Sequence, residues 1–404
     1  MKPAPGSIIL ILLLATQTVA TDLYLPALPQ IAVDLGRSAG QVQWTLTVFI
    51  LAYGLAQLGA GALVDRHGRR RTVLWALALY AAAALSGALA THLALLVASR
   101  AVQGAATAAC VIGARAIIRD NYPGAAGLGI MARSMAGMGA IGFLSPVVGG
   151  LVTQYLGWHA TIVVVAGFGA LAWIVVFACF SDTYARSASV CELGFFSFFR
   201  NPQFLSSSLL AGFSFTGAIC FLLLSPFVFI GEFGMSRVAF GFIPGLCSLA
   251  FLIGTVLCRH CLRHWSVPAV VRLGAALSLS GGASLLLLWQ LQIHTVWALA
   301  LPQCVYMLGH GFHQPCGQGG AVAPFPQHAG RAAAVSGLII TGAAFVGGQL
   351  ISFSPLPASA TLVTTMSVIT LLLALVAWVA IPRAYRRSAP QAPASSVLNC
   401  KFIE

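Results

Sequence analysis

A single carboxylate in this chain falls where a charge is costly. The 404 residues include eight acidic ones, and Asp22 is the one well inside a long apolar segment. Ionisable residues within a membrane are expensive, and they mark ion and substrate paths when they are paired or line a cavity. A carboxyl group held there can take up and release a proton, so we predict a proton-coupling role for Asp22. The alternative is a cap for the helix-breaking Leu25–Pro26 region near the membrane surface.

Arg100 is the natural partner of this carboxylate. At a rise of 1.5 Å per residue, Asp22 lies about 22 Å along the first apolar segment, measured from Ser7. By the same rise, Arg100 lies about 10 Å into the fourth segment, measured from its periplasmic end. The two side chains are therefore expected at comparable depth. Desolvation favours the neutral form of a carboxyl group, whereas a nearby guanidinium favours the ionised form. A change in their separation would then move a proton on or off Asp22.

The composition is that of a polytopic membrane protein. Hydrophobic residues make up 59%, charged residues 7%, and the mean hydropathy is +0.92, whereas soluble domains carry about 25% charged residues. The net charge of +13 comes from arginines at the ends of apolar segments and not from one basic face, which argues against nucleic-acid binding.

Each apolar segment is near or above the length of about 20 residues that crosses a bilayer. We predict an all-α fold with twelve transmembrane helices, at about residues 7–33, 41–63, 72–90, 93–118, 125–155, 158–180, 203–230, 238–257, 268–290, 295–320, 331–353 and 360–381. The predicted organisation is a six-helix domain (1–181), a loop (182–201), a second six-helix domain (202–382) and a disordered tail (383–404). A signal peptide ending at Ala20 is the competing interpretation of the first apolar segment.

The distribution of basic residues sets the orientation. With both termini in the cytoplasm, eighteen of the 21 lysines and arginines fall at cytoplasmic loops, ends and tails. Arg37 and Arg237 fall outside, and Arg100 lies within the fourth helix. This excess is the positive-inside pattern of membrane proteins, and it favours both the orientation and the helix count.

The densest cluster of charge joins the second and third predicted helices. The stretch GALVDRHGRRRTVL resembles the loop motif GxLxDRxGRRxxL of the major facilitator superfamily, a family of secondary transporters, and the matching residues are Gly61, Leu63, Asp65, Arg66, Gly68, Arg69 and Arg70. The resemblance implies a carboxylate, Asp65, that faces the start of the eleventh helix and latches the outward-facing state. Arg331 would lie nearby.

Two further stretches resemble motifs of the same superfamily. The fourth helix carries RAVQGAA, where Arg100, Gln103 and Gly104 match and imply a role for Arg100 in proton transfer. The fifth carries GFLSPVVGG, similar to the helix-5 motif of drug antiporters; it retains Pro146, Gly149 and Gly150 but has Ser145 where the pattern has glycine.

The branch is indicated by TDLYLPALPQIA in the first helix, ARAIIRD in the fourth, and the frame from Gly311 to Ile339 in the tenth and eleventh. These resemble the Bcr/CflA (bicyclomycin and chloramphenicol resistance) branch of drug:proton antiporters. The resemblance implies a monomeric multi-pass protein of the bacterial inner membrane. It would exchange protons for small lipophilic compounds, neutral or zwitterionic, such as chloramphenicol or bicyclomycin.

An apolar and aromatic cavity suits such substrates, and we expect it to be lined by Tyr24, Tyr53, Gln57, Phe213, Phe221, His310 and His313. His310 and His313 with Cys316 could form a metal site or a proton relay, but cavity lining is the preferred interpretation. Cys258 and Cys261, a CxxC beside two histidines, are interpreted as incidental thiols rather than zinc ligands. We therefore expect neither metal nor cofactor.

Other functions stay open at this stage. The chain could export an endogenous metabolite such as an amino acid, peptide or sugar. It could also be an intramembrane enzyme or a sensor, and the pair His310 and His313 would then be the candidate catalytic groups. The predicted partners of the favoured transporter are a small-molecule drug, protons and the lipid bilayer.

Overall fold

The computed structural model describes residues 6–122, 125–181 and 196–388, and across these it is helical, without strands. The helices are α1 (Ser7–Asp22), α2 (Leu28–Asp34), α3 (Ala39–His67), α4 (Arg69–Ala88), α5 (Leu93–Asn121), α6 (Ala125–Cys179), α7 (Phe196–Phe199), α8 (Pro202–Pro226), α9 (Arg237–Cys261), α10 (Val267–Gln290), α11 (Val296–Val322), α12 (Ala329–Ser352), α13 (Ala358–Leu375) and α14 (Ile381–Ser388).

The described residues contain ten segments long and apolar enough to cross a membrane. The longest, α6, is two helices joined at Gly157, whose φ of 81° and ψ of 171° are not helical. Helix α11 has 27 residues, the length of a span, but Gln303, His310 and His313 make it more polar than the ten. The protein is therefore an all-helical membrane protein with ten to twelve candidate spans.

The first span, predicted as one segment with a helix-breaking region at Leu25–Pro26, is divided into two helices. Helix α1 ends at Asp22, a 3-10 turn follows at Leu25–Ala27, and α2 begins at Leu28. The cause is chemical, because Pro26 and Pro29 lack the backbone N–H that a continuous helix needs, and a proline disfavours helical geometry in the residue before it. The break places Asp22 at a helix end inside a span of 28 residues, Ser7–Asp34.

The C-terminal end also differs from expectation. The predicted disordered tail begins at residue 383, whereas α14 continues to Ser388 after a π-helical turn at Val376–Ala380. The buried side chains of Ile381 and Ala384 explain the extension, because they pack against the bundle. Residues 389–404 of the predicted tail and 182–195 of the predicted loop lie outside the described residues.

Helices α1 to α6 pack mainly on one another, as do α8 to α13. Two antiparallel pairs, α3 with α12 and α6 with α9, supply most of the contact between these groups. Along the first pair, close approaches run from Gly40 against the main chain of Ser352 to Gly337 against the side chain of Gln57. The residues of α3 beyond this level, toward His67, form the opposite end of the bundle.

Candidate functional site

Asp22 closes helix α1 and faces helix α6. Its Oδ1 accepts a hydrogen bond from the Thr21 hydroxyl at 2.8 Å. A Cβ added at Gly142 would lie 3.9 Å from its Oδ2, so this glycine leaves room beside the carboxylate. The side chain is half-buried, and the described residues place no cation within 4 Å of it. This geometry suits a carboxylate that gains and loses a proton.

Arg100 of α5 is fully enclosed by helices α1 and α3. Its guanidinium donates one hydrogen bond to the Ala20 carbonyl at 2.7 Å and another to Gln103 Oε1 at 2.5 Å. The guanidinium carbon lies 4.6 Å from the ring centre of Tyr24 and 4.7 Å from that of Phe49. Cation–π contacts of this kind are strongest where the charge is desolvated. Arg100 therefore holds the end of α1 in place through its main chain.

The predicted pair of Asp22 and Arg100 is not an ion pair in this conformation. The arginine binds the carbonyl of Ala20, two residues before Asp22, and stacks on Tyr24, two residues after it. Arg100 thus contacts the chain on both sides of Asp22, at the carbonyl of Ala20 and at the ring of Tyr24.

The glycines of the helix-5 motif lie at close contacts on two sides of α6. A Cβ at Gly149 would clash with the carbonyl of Leu23, the residue after Asp22, and one at Gly150 would clash with the carbonyl of Arg237 in α9. The carbonyl of Pro146 in turn packs against Gly241 of α9. This motif therefore connects the Asp22 region with the second group of helices.

The loop motif forms a charge cluster around Arg69. This side chain is buried, at 1% exposure, and it binds Asp65 at 3.0 Å and Asp120 of α5 at 2.7 Å. Arg119 approaches the same two carboxylates, at 3.9 Å from Asp65 and 3.3 Å from Asp120. Gly68, with φ of 87°, supplies the tight turn between α3 and α4 that a residue with a Cβ rarely adopts.

The partners of Asp65 are therefore Arg69 and Arg119, whereas the sequence resemblance predicted a contact with the start of helix α12. Arg331 is the third residue of α12, and a Cβ added at its neighbour Gly330 would meet nothing within 4 Å. The remaining motif residues Gly61 and Arg66 lie near the end of α3, where Arg66 is exposed. Arg70 donates a hydrogen bond to the Phe177 carbonyl at 2.8 Å.

A cavity of about 240 Å³ lies between the two groups of helices. From the first group it is lined by Gln17, Tyr53, Gln57 and Arg115, and from the second by Phe215, Gln314, Gln318, Val322, Ala333, Ser336, Gly337, Ile340 and Thr341. The wall of the cavity thus combines amide, hydroxyl and aromatic groups with aliphatic ones. It contains one arginine and no carboxylate. Gln17 is five residues before Asp22, about 7.5 Å along α1.

Tyr53 and Gln57 are the predicted lining residues that border this cavity. Tyr24 and Phe221 are instead buried in the packing of the helices, Tyr24 bonded to Thr45 and Phe221 against Phe229. Phe213 packs against the hydrophobic core. These three residues do not line the cavity in this conformation, and an apolar sequence does not reveal which side of a helix faces a neighbouring helix and which faces a cavity.

The predicted histidines also lie outside this cavity, in the interior of the second group of helices. Ser214 of α8 bridges them, with its hydroxyl 2.7 Å from His310 Nδ1 and 3.2 Å from His313 Nδ1. The Cys316 thiol lies 3.7 Å from that of Cys258 and not with the histidines. Among the described residues no three His, Cys, Asp or Glu side chains form a group that could hold a metal ion.

Sequence reasoning gave Arg115 and Asp120 no role beyond the end of the fourth helix. The structure places Arg115 in the cavity wall and Asp120 on buried Arg69. Both lie in the ARAIIRD stretch, so the density of charge at an otherwise apolar helix end was the signal available. Gln17, Gln314 and Gln318 carried a similar signal as polar residues inside apolar spans.

Comparison with known proteins identifies the family. The model of the Major Facilitator Superfamily matches residues 10–348, and the chain belongs to this superfamily of transporters. A bicyclomycin resistance protein homolog of Haemophilus influenzae is 26% identical over 353 residues, which cover 85% of this chain and 88% of that protein. A chloramphenicol resistance protein of Pseudomonas aeruginosa is 27% identical over 345 residues, covering 83% and 80%. The resemblance to this branch is thereby confirmed.

Solved structures confirm the fold. The crystal structure of a D-xylose–proton symporter aligns with a TM-score of 0.77 at 15% identity, covering 94% of this chain and 98% of that one. This alignment establishes the helical architecture. Because the identity is low, it gives no information on the substrate, which has to be argued from the site.

Proposed function

We propose that this protein is a proton-coupled antiporter that exports small lipophilic compounds, neutral or zwitterionic, with chloramphenicol and bicyclomycin as the first candidates. The observation that carries the proposal is the cavity between the two groups of helices, lined by residues of both. A site shared by two packed units can be exposed to each side of the membrane in turn when the units rock about it. The names of the relatives, which refer to bicyclomycin and chloramphenicol resistance, support this substrate class.

The lining favours uncharged or internally neutral substrates. Amide and hydroxyl groups of Gln57, Gln314 and Thr341 offer hydrogen bonds, and Tyr53 and Phe215 offer aromatic surface. A cationic drug would find Arg115 and no lining carboxylate. The positive charge of such a drug would therefore be repelled by Arg115, which would weaken its binding at this site.

Asp22 is the proposed proton carrier, with Arg100 as the residue that positions it. Since Arg100 binds the Ala20 carbonyl and stacks on Tyr24, it couples the carboxylate to α5. The cavity reaches Gln17 on the same helix as Asp22. Substrate entry that shifts α1 would alter the solvation of the carboxylate, and a proton would leave as the substrate binds.

The proposed architecture has twelve spans in two six-helix domains (1–181 and 202–382), joined by the loop 182–201, with both termini in the cytoplasm of a bacterial inner membrane. This count follows when α6 contributes two spans and α11 one. Most of the contact between the domains comes from α3 with α12 and α6 with α9, so each domain contributes two helices to the interface. The proposed active unit is the monomer, because the cavity is complete within one chain.

The conformation is proposed to be inward-facing. The helices α3 and α12 approach closely at Gly40 and Ser352, on the periplasmic side in this orientation, whereas a Cβ added at Gly61 or Gly330 near the other end would meet nothing within 4 Å. At that other end Asp65 pairs with Arg69 and Arg119. The predicted latch of Asp65 on the start of α12, near Arg331, would form when this end closes in the outward-facing state. A carboxylate at a helix N-terminus is favourable.

Drug uptake into proteoliposomes under an imposed proton gradient tests this function. The protein should accumulate chloramphenicol in vesicles that are acidic inside, and Asp22→Asn should abolish the accumulation. Glu232→Gln is the matched control. It removes the same charge, and its amide oxygen can still accept the hydrogen bond that Glu232 takes from the Ser359 backbone at 3.2 Å. Chloramphenicol uptake by the wild type that is the same with and without the proton gradient would contradict proton coupling.

A further inference from the structure

A second concave surface lies outside the transport site, between α4 and the second part of α6. It is an open groove of about 940 Å³, lined by Arg70, Arg71, Leu74, Trp75, Ala78, Trp173, Phe177, Ala178, Cys179, Phe180 and Ser181. Helix α4 begins at Arg69 and α6 ends at Cys179. The groove therefore sits at the ends of two neighbouring spans, where a membrane helix passes from hydrocarbon to the headgroup layer.

One end of the groove carries two positive charges. Arg70 donates to the Phe177 carbonyl at 2.8 Å, and its guanidinium carbon lies 5.4 Å from the Phe177 ring centre, which fixes the side chain against the groove wall. Arg71 is exposed and has no hydrogen-bond or ion-pair partner among the described residues. No carboxylate is among the lining residues. Among the residues that the structure describes, no negative charge thus lines this end of the groove.

The rest of the groove wall is apolar. The side chain of Trp75 is 73% exposed and that of Phe177 is 55% exposed, and Trp173 stacks on Phe177 with ring centres 5.0 Å apart. Leu74 and Ala78 continue the wall along the next turn of α4. Tryptophan and other aromatic side chains are enriched at the membrane interface, where an apolar body meets a polar layer.

We propose that this groove binds an anionic phospholipid of the surrounding leaflet. The phosphate would lie between Arg70 and Arg71, and an acyl chain would lie along Leu74, Trp75 and Trp173. Arginine-rich pockets at span ends bind acidic headgroups in this way, and the guanidinium geometry suits phosphate oxygens. Free phosphate would satisfy the arginines alone, whereas a lipid also covers the exposed rings. The site is separate from the transport cavity and does not depend on the transported substrate.

Native mass spectrometry of the detergent-purified protein tests the site directly. Dioleoyl phosphatidylglycerol should bind more tightly than dioleoyl phosphatidylcholine. Each basic side chain near a membrane surface is worth about a fivefold change in affinity for acidic lipid. Arg71→Gln should therefore weaken phosphatidylglycerol binding about fivefold, and Arg70→Gln with Arg71→Gln should weaken it more. Since Arg71 is exposed and unpartnered in the described part of the chain, its single variant should fold normally.

A double variant at another span end is the matched control. Arg259 and Arg263, near the end of α9, are both exposed and do not line the groove, so Arg259→Gln with Arg263→Gln removes two charges and should leave this binding intact. Equal losses in both double variants would overturn the site in favour of general charge attraction.

Trp75→Ala and inorganic phosphate separate a lipid from a free anion. Trp75→Ala should weaken lipid binding while leaving the melting temperature unchanged, because its ring is exposed. Millimolar inorganic phosphate should not displace the lipid. Full displacement by phosphate, or an unaffected Trp75→Ala, would overturn the lipid assignment. A groove already filled by another segment of this chain would show no lipid binding in the wild type, which would overturn it as well.

Discussion

The guanidinium of Arg100 donates a 2.7 Å hydrogen bond to the main-chain carbonyl of Ala20, while the carboxylate of Asp22, two residues further on, takes its hydrogen bond from Thr21. The two charges are thus linked through the backbone of α1 rather than as an ion pair. In the proposed mechanism, this link transmits movement of α5 to the carboxylate. Several expected outcomes depend on it.

Arg100→Lys should abolish proton-coupled transport. Lysine cannot donate in the planar geometry that reaches Ala20 and Gln103 together, nor stack as arginine does on Tyr24 and Phe49. Leaving buried acceptors unsatisfied costs about 1–3 kcal/mol, so the melting temperature should also fall. Transport in proteoliposomes and a thermal melt check both effects. Arg37→Lys, at an exposed position, is the control and should change neither; full activity of Arg100→Lys would refute the positioning role.

Arg69→Gln should destabilise the protein strongly. It leaves the largely buried Asp120 carboxylate without its 2.7 Å partner and with only the exposed Arg119 at 3.3 Å. Breaking a buried ion pair on one side costs about 3–5 kcal/mol, which is the upper limit here because Arg119 remains. Asp65→Asn removes a half-exposed partner and should cost far less stability, yet it should reduce transport because the proposed latch is lost. The two effects are separated by measuring melting temperature and transport on each variant. Equal melting temperatures would contradict the central place of Arg69 in the cluster.

Gly149→Ala should impair folding or transport, because the new methyl group would meet the carbonyl of Leu23. Gly139→Ala, on the same helix, is the matched control, since nothing lies within 4 Å of a Cβ there. Alanine is more favourable than glycine in a helix by about 1 kcal/mol, so the control should be neutral or stabilising. Yield of monodisperse protein and transport rate are the readouts. Wild-type behaviour of both variants would show that the close contact with α1 is dispensable.

Tyr53→Ala and Phe221→Ala should have different consequences. Tyr53 lines the cavity and is also largely buried, so its loss should raise the KM for chloramphenicol as well as lower the melting temperature. Phe221 is buried away from the cavity, and loss of a core phenylalanine costs about 3–5 kcal/mol. Substrate affinity and thermal melts measured on both variants give the comparison. A raised KM for Phe221→Ala at unchanged stability would move the substrate site toward the originally expected residues.

Much of the fold follows from the sequence because hydropathy and charge act over whole segments. The joint at Gly157 lies between the predicted fifth and sixth helices, and the loop motif does form a turn at Gly68. The sequence indicated a helix-breaking region at Leu25–Pro26, but the first span was drawn as one segment, whereas α1 ends at Asp22. In a membrane helix, the side that faces lipid and the side that faces other helices are both apolar. The spacing of apolar residues therefore does not predict which way a given side chain points. For that reason Phe221 was assigned to the cavity, whereas Arg115 was not.

The partners of charged residues were also hard to foresee. The motif indicated that Asp65 binds arginines, but the identity of those arginines depends on the conformation of the bundle. In this structure α5 supplies Arg119, and α3 and α12 make their close contacts nearer the other end. A sequence specifies all states of a transporter at once, whereas each structure shows the contacts of one.

Proton release on drug binding is the most direct test of the central claim. Chloramphenicol added to weakly buffered, detergent-purified protein should release protons from the wild type and from Glu232→Gln, and none from Asp22→Asn. That result would identify Asp22 as the carboxylate whose protonation is linked to substrate binding. Release that persists unchanged in Asp22→Asn would contradict the assignment, and drug binding without any release in the wild type would contradict antiport itself.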